Sequence, residues 1–528
     1  MKRYMHTAWI VTSVICSTSV FAGSVLRLDE SPIGELDPAK ALDTADSILM
    51  FNVYDTLLIP EAGSTQFKPL LATKWETSDS IHYTFDLRDD VKFHSGNMLT
   101  AEDVVYSFNR MMALGQGFSY LYGNVESVDV VDSDTVSFTL KQPYSPFLSS
   151  LVHLPIVDKK LVMQHLADGE GANKDWGQAY LNLNDAGSGA YTVSSHNPQS
   201  ETVMEKNPDY FLDIPAKSPD TVRMRYGLEP STVRTLMKQG KHDISSQWLP
   251  PEVLKSLAND GMQLLSQHGS SEFYIKLNTA KAPFDDVECR LAVANAFDYA
   301  SGIKMVQVTS DVSQGSKATG ALPKGMLGAL PATDAFTYKQ DLAAAKEHLA
   351  KCQYSPDEMN IELSWIAEVP LEKRFALLMQ ANLAQIGLKA TIRKVPWAMF
   401  TELVTKPETT PSISQVFISS VTGDPDSILY AAYHSSKSGT WLSPEYLKDE
   451  QVDALLEKGR QVPQAEREAV YQELNKRLRE LAPAIFAQDQ ISVFAASPRV
   501  HAPALSDPKL GYTVDGFGFN FRFIEVSD

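Results

Sequence analysis

The chain has 528 residues, 44% of them hydrophobic and 21% charged, with a formal net charge of −18. That length allows two or three domains, and the composition is that of a folded soluble chain, neither disordered nor membrane-spanning. So large a surplus of acid argues against nucleic acid and anionic lipid as partners.

The first residues read as an export signal. Lys2 and Arg3 give a positive start, residues 8–16 a mostly apolar run, and Val20-Phe21-Ala22 a cleavage site after Ala22. The run is too short and too broken by Thr and Ser to span a bilayer. Cys16 follows Ile15 rather than a small residue at the cut, which argues against lipidation. Residues 1–22 are therefore assigned to a signal peptide. Beyond it the only cysteines are Cys289 and Cys352. An oxidising compartment permits a bridge, but the expectation is two buried thiols, Cys289 being on a predicted helix.

Next, SVLRLDESPIGELDPAKALDTADSILMFNVYDTLL predicts a strand, a turn at Asp37-Pro38 and a helix through Ile48, Phe51 and Val53 to Leu57. Ile81, Tyr83, Phe85 and Leu87 alternate with polar residues, the period of a half-buried strand. A turn at Asp89-Asp90, a short strand at Val91 to Phe93 and a second turn at Ser95-Gly96 follow. Thr100 then caps a helix, its hydroxyl accepting from the Asp103 amide, and Val104, Val105, Phe108, Met111 and Met112 form one stripe. Asp132-Ser133-Asp134 turns a hairpin, residues 165–185 read as surface loop, and Gly187-Ser188-Gly189 opens a second hairpin that returns to Met204. STVRTLMKQGKHDISS, DLAAAKEHLAKC and LEKRFALLMQANLAQIGLKATIRKV repeat a helix-then-strand pattern, and residues 449–483 predict two charged helices.

No His-Glu-x-x-His, phosphate loop, Gly-x-Ser-x-Gly or paired Cys-x-x-Cys occurs. Ser301 to Lys304 fits Ser-x-x-Lys without its partner motifs, and the eleven histidines have no ligand spacing on one helix. Neither an enzyme nor a metal or cofactor site is expected.

The segment LATKWETSDSIHYTFDLRDDVKFHSGNMLTAEDVVYSFNR, with the Asp-Pro turn and Tyr-Asp-x-Leu before it and GSGAY and Asn-Pro-Asp-Tyr after it, resembles the large solute-binding proteins of ABC importers, of the oligopeptide-, dipeptide- and nickel-binding type. The resemblance implies an α/β, two-lobed, type II periplasmic-binding-protein fold with an extra appended α+β domain. Residues 23–53, 186–268 and 490–528 would form lobe I, 54–185 the appended domain and 269–489 lobe II, with a hinge near 265–275 and 485–492. It further implies a periplasmic, monomeric protein that closes on a small-molecule ligand, a peptide first and an oligosaccharide second, and hands it to the permease subunits. A ligand-loaded docking partner for a membrane sensor is the other class of role.

Site residues follow from the same resemblance. Trp397, in VPWAMF, matches a pocket tryptophan, with core packing as its alternative. Tyr274 and Trp248 are weaker aromatic candidates for which core packing is favoured. Peptide-binding relatives carry a Trp and an amine-binding Asp before a Gly-Asp-Pro turn; here the turn is Gly423-Asp424-Pro425-Asp426 and those positions are Ile418 and Val421. Either Asp424 or Asp426 then takes the amine, or the ligand has none there; turn stabilisation is the alternative for both. Arg374 is placed to read a carboxylate, or to be an exposed helix arginine.

Overall fold

Two long antiparallel strands, Gln263–Leu277 and Ala484–Ala496, run through the middle of the chain's fold. The structure is a computed structural model and describes residues 23–333, 335–507 and 509–527; the expected signal peptide lies outside the described residues. Leu265, Phe494 and Ala496 belong to the core of a first sheet, in which Val25–Glu30 lies parallel to Thr221–Tyr226 and antiparallel strands Glu201–Lys206 and Tyr191–Asn197 follow. Helix Thr44–Val53 packs Ile48, Leu49 and Val53 on that core, and its first turn is held by a reciprocal Asp43–Asp46 cap.

The other ends of the long strands are the centre of a six-stranded sheet with Ile413–Ser419, Ile361–Ile366 and Ala390–Val395 beyond them, the last three mutually parallel. Alternation along Gln263–Leu277 divides that sheet's two cores. Phe273, Ile275 and Leu277 face helices Val287–Ala296 and Pro370–Gln385, and Tyr274 faces helices Asp426–Tyr433, Glu450–Gln461 and Gln464–Leu481. Between the two ends the ladder shifts register, from Gln267 opposite Ser492 to Ser271 opposite Gln490.

A third sheet, of Ala72–Glu76, His82–Leu87, Thr135–Leu140 and Val125–Val130, is built from the predicted alternation: Tyr83, Phe85 and Leu87 are buried. Helix Ala101–Leu114 covers it through Val104, Phe108 and Met111, while Met112 turns outward. Its cap is reciprocal, the Asp103 carboxylate accepting the Thr100 amide and hydroxyl at 2.8 Å each. The short strand expected at Val91 to Phe93 is only an isolated bridge between Lys92 and Met98.

One expectation is overturned. Helices Val287–Ala296 and Leu342–Lys351 pack together and bring Cys289 and Cys352 to a Cα–Cα distance of 5.0 Å, in a disulfide. Asp286 is close to both sulfurs, but sulfurs bonded to each other are not metal ligands.

Candidate functional site

Open α/β sheets bind their ligands beyond the carboxyl ends of parallel strands, where the connecting loops diverge. In the first sheet those ends are Glu30 and Tyr226; in the six-stranded sheet they are Ile366, Val395 and Ser419. The loop beyond Ser419 is tied to distant parts of the chain. The Asp515 amide donates to the Ser420 carbonyl at 3.3 Å, and His153 Nε2 donates to the Val421 carbonyl at 2.6 Å. Gly423, at φ +73°, approaches so closely that a Cβ there would lie 2.6 Å from Thr513 Oγ1. Beside this contact lies a cleft of about 480 Å³, lined by Ser64, Gln267, His268, Lys324, Tyr512 and Thr513, so that all three parts of the fold contribute to its wall.

Carboxylates gather at the same place. Glu30 is 5% exposed, and burial, then neighbouring Asp29, and also Asp515 and Asp43, push its carboxyl well above the usual range. Asp515 accepts from Thr44 Oγ1 at 2.6 Å and is also raised, chiefly by burial. Farther along the long strands, Glu272 is fully buried with neither carboxylate oxygen hydrogen-bonded, opposite Asp489 in the register. Asp489 accepts from the Lys324 amide at 3.3 Å, and burial pushes it up to about 7.

His153 carries a testable consequence. Burial lowers it to about 4, against its bond to Val421, and its ring lies 3.9 Å from that of Phe118. The unfolded chain takes up a proton near pH 6.5 that the folded chain refuses until about pH 4. Stability from this group is therefore complete above pH 6.5 and lost as pH falls to 4, by about 3 kcal/mol. The wild type minus His153→Gln difference in urea midpoint is expected to shrink over that window; a difference independent of pH contradicts the assignment.

The residues expected from sequence scatter. Asp424 and Asp426 are held by arginines. Arg467 Nη1 and Nη2 reach Asp424 at 2.5 and 2.7 Å, and Arg460 Nε reaches Asp426 at 2.8 Å. Both carboxylates are thus already engaged, which corrects their reading as amine receptors. Ile418 and Tyr274 are core residues on one face of the six-stranded sheet, the Tyr274 hydroxyl donating to the Ala321 carbonyl at 2.8 Å. Arg374 pairs with Glu252 at 2.7 Å on the surface, and Trp248 is 54% exposed. Trp397 starts a helix directly after strand Ala390–Val395, half exposed and edge-on to Trp441 at 5.3 Å. Val421 lies in the loop beyond Ser419, packed against the core of the first sheet with its carbonyl accepting from His153. Glu30, Asp515 and His153 went unread, although two acids closing the apolar strand VLRLDE were a visible signal for Glu30.

Residues 66–440, more than half of the chain, match the family model of bacterial extracellular solute-binding proteins, family 5. The chain belongs to that family. This solute-binding protein is 28% identical over 431 residues to the probable D,D-dipeptide-binding periplasmic protein DdpA of Escherichia coli, covering 80% of this chain and 79% of that one. It is also 28% identical to heme-binding protein A of Haemophilus influenzae, over 92% and 91% of the two chains. Among solved structures, the periplasmic binding protein DppA of Helicobacter pylori, in complex with the peptide STSA, superposes with a TM-score of 0.77 at 25% identity, over 96% of this chain and 98% of that one. The two-lobed α/β fold expected from the sequence is therefore the fold of this solute-binding protein. No helix of its described residues is long and apolar enough to cross a membrane.

Proposed function

We propose that the protein is the periplasmic capture component of an ABC importer, which closes two lobes over a peptide and presents the closed form to the permease. One observation carries the reading: a cleft of about 480 Å³ is walled by residues 266–268 of a long strand, by Lys324 and by Tyr512 and Thr513, and two strands with a broken ladder at residues 267–271 join the two sheets. Lobe I is then 23–53, 186–268 and 490–528, the appended domain 54–185 and lobe II 269–489, with the hinge at the register shift. A few strand residues can absorb the rotation of two rigid halves. A solute touching both walls stabilises the closed form by its differential affinity for it. Trp397 and Val421 would be lobe II contacts, from beyond the ends of strands Ala390–Val395 and Ile413–Ser419, on either side of Ile361–Ile366. Peptide-binding relatives support the ligand class.

The test is native mass spectrometry of freshly exported protein, followed by small-angle scattering with and without the ligand found. A co-purified peptide and a smaller radius of gyration on rebinding are expected. A chemically altered ligand, or a radius unmoved by saturating ligand, counts against the proposal.

A further inference from the structure

We propose that the appended domain latches the closed form: Tyr144 and Ser145 dock on the end of helix Glu450–Gln461 in lobe II and hold the two lobes together, so that part of the protein is closed before a solute arrives. The inference rests on the lobes proposed above and adds to them a closing contact that does not involve the solute.

The appended domain moves with lobe I, because the two share a core. Tyr106, Phe118, Val157, Val162 and Leu181 belong to the same apolar cluster as Leu26, Leu28 and Met224 of the first sheet. Arg110 also pairs with Asp37 at 2.7 and 2.5 Å, both side chains being buried. Neither core of the six-stranded sheet contains a residue of 54–185 among those described. What joins the appended domain to lobe II is polar. A hydrogen bond exchanges with water and shifts an equilibrium by a factor of only about two to ten. A contact of this kind can be made and broken, where a shared apolar core cannot.

The docking loop is Pro143-Tyr144-Ser145-Pro146. The prolines fix their own φ, and Pro146 disfavours a helical Ser145, so the loop has little freedom left to lose on docking. Phe147, buried in the core of the third sheet, anchors it, and the Phe147 amide donates to the Tyr144 carbonyl at 3.1 Å.

A helix leaves its last four carbonyls without partners of its own. In Glu450–Gln461 the Gly459 carbonyl accepts from Arg467 Nε at 2.8 Å. The Arg460 carbonyl accepts instead from the Ser145 amide at 2.7 Å, and the Val462 carbonyl, just beyond the helix, from the Ser145 hydroxyl at 2.6 Å. Tyr144 donates to Asp426 Oδ2 at 3.2 Å, and the Arg460 guanidinium that pairs with Asp426 lies 5.4 Å from the Tyr144 ring. His153 of the same domain donates to the Val421 carbonyl, so the lobe II loop from Val421 to Asp426 is held at both ends. The Arg374–Glu252 pair also crosses between the lobes, but with its side chains 43% and 59% exposed it is screened by water.

Pulsed electron-spin distance measurement tests this on the mature, ligand-free protein, with spin labels at the exposed positions Glu126→Cys and Ala469→Cys, one on each side of the contact. The labelled wild type is expected to show two distances, the shorter one that of this structure. Tyr144→Phe combined with Ser145→Ala is expected to lower the closed-to-open ratio by at least about fivefold. Ser145→Thr, which keeps both donors, is expected to stay within about twofold of wild type. If the double variant does not fold, Tyr144→Phe alone decides, with a loss of at least about twofold. An unchanged ratio, a loss in Ser145→Thr as large as in the double variant, or a wild type with no closed population overturns the latch and leaves the transport reading standing. One unchanging short distance in wild type and all variants shows no opening, and overturns the hinge and the latch together.

Discussion

Arg467→Met is expected to destabilise the protein by about 3–5 kcal/mol, because it takes the guanidinium from the buried Asp424 carboxylate and leaves it the Asp426 amide as its remaining donor. Arg467 is 1% exposed at its side chain and Asp424 8%. The guanidinium also donates to the Gly459 carbonyl at 2.8 Å and reaches the Tyr471 hydroxyl at 3.1 Å. The pair therefore fastens the turn after strand Ile413–Ser419 to the two C-terminal helices, and the position of Ser420 and Val421 depends on it. Adding Asp424→Asn to Arg467→Met should recover a large part of the loss, since the unpaired charge is then gone. The neighbouring Asp426–Arg460 pair, with 22% of the arginine side chain exposed, should cost less to break. Urea midpoints of wild type and these variants read the effect. A loss below about 1 kcal/mol for Arg467→Met would mean that the pair is effectively solvated.

Cys352→Ser is expected to cost about 2–4 kcal/mol in the unfolding of the part containing the six-stranded sheet. The bridge closes a loop of 63 residues, which in the chain-entropy treatment restricts the unfolded state by about 4 kcal/mol at most. It links helix Val287–Ala296 to the end of Leu342–Lys351, both packed on the Phe273 face of the sheet. A reductant should lower the wild-type midpoint by a similar amount and leave the Cys352→Ser midpoint unmoved. A wild type indifferent to reduction would contradict the assignment.

Local pattern carried much of the fold. Tyr83, Phe85 and Leu87 were legible as a buried strand face because period two needs only neighbouring residues. The hairpin at residues 132–134 and the helix over 370–385 were legible for the same reason, each having its turn or its stop within the window. The disulfide was not, since it depends on how two helices 63 residues apart pack. The site fared worse still. Asp424 and Asp426 have the right chemistry for an amine, but their partners Arg467 and Arg460 lie more than thirty residues on, and no local rule shows that an acid is already engaged.

The amino-terminal sheet is closed by the chain's last residues. The Asn52 side chain donates to the Phe519 carbonyl and accepts from the Phe521 amide, Ser218 bonds the Arg522 carbonyl, and Phe521 stands edge-on to Tyr191. A polypeptide made amino end first therefore cannot seal this sheet until residues 519–522 have been added. Copies truncated before these residues would expose apolar surface at that seam, a ready substrate for proteolysis.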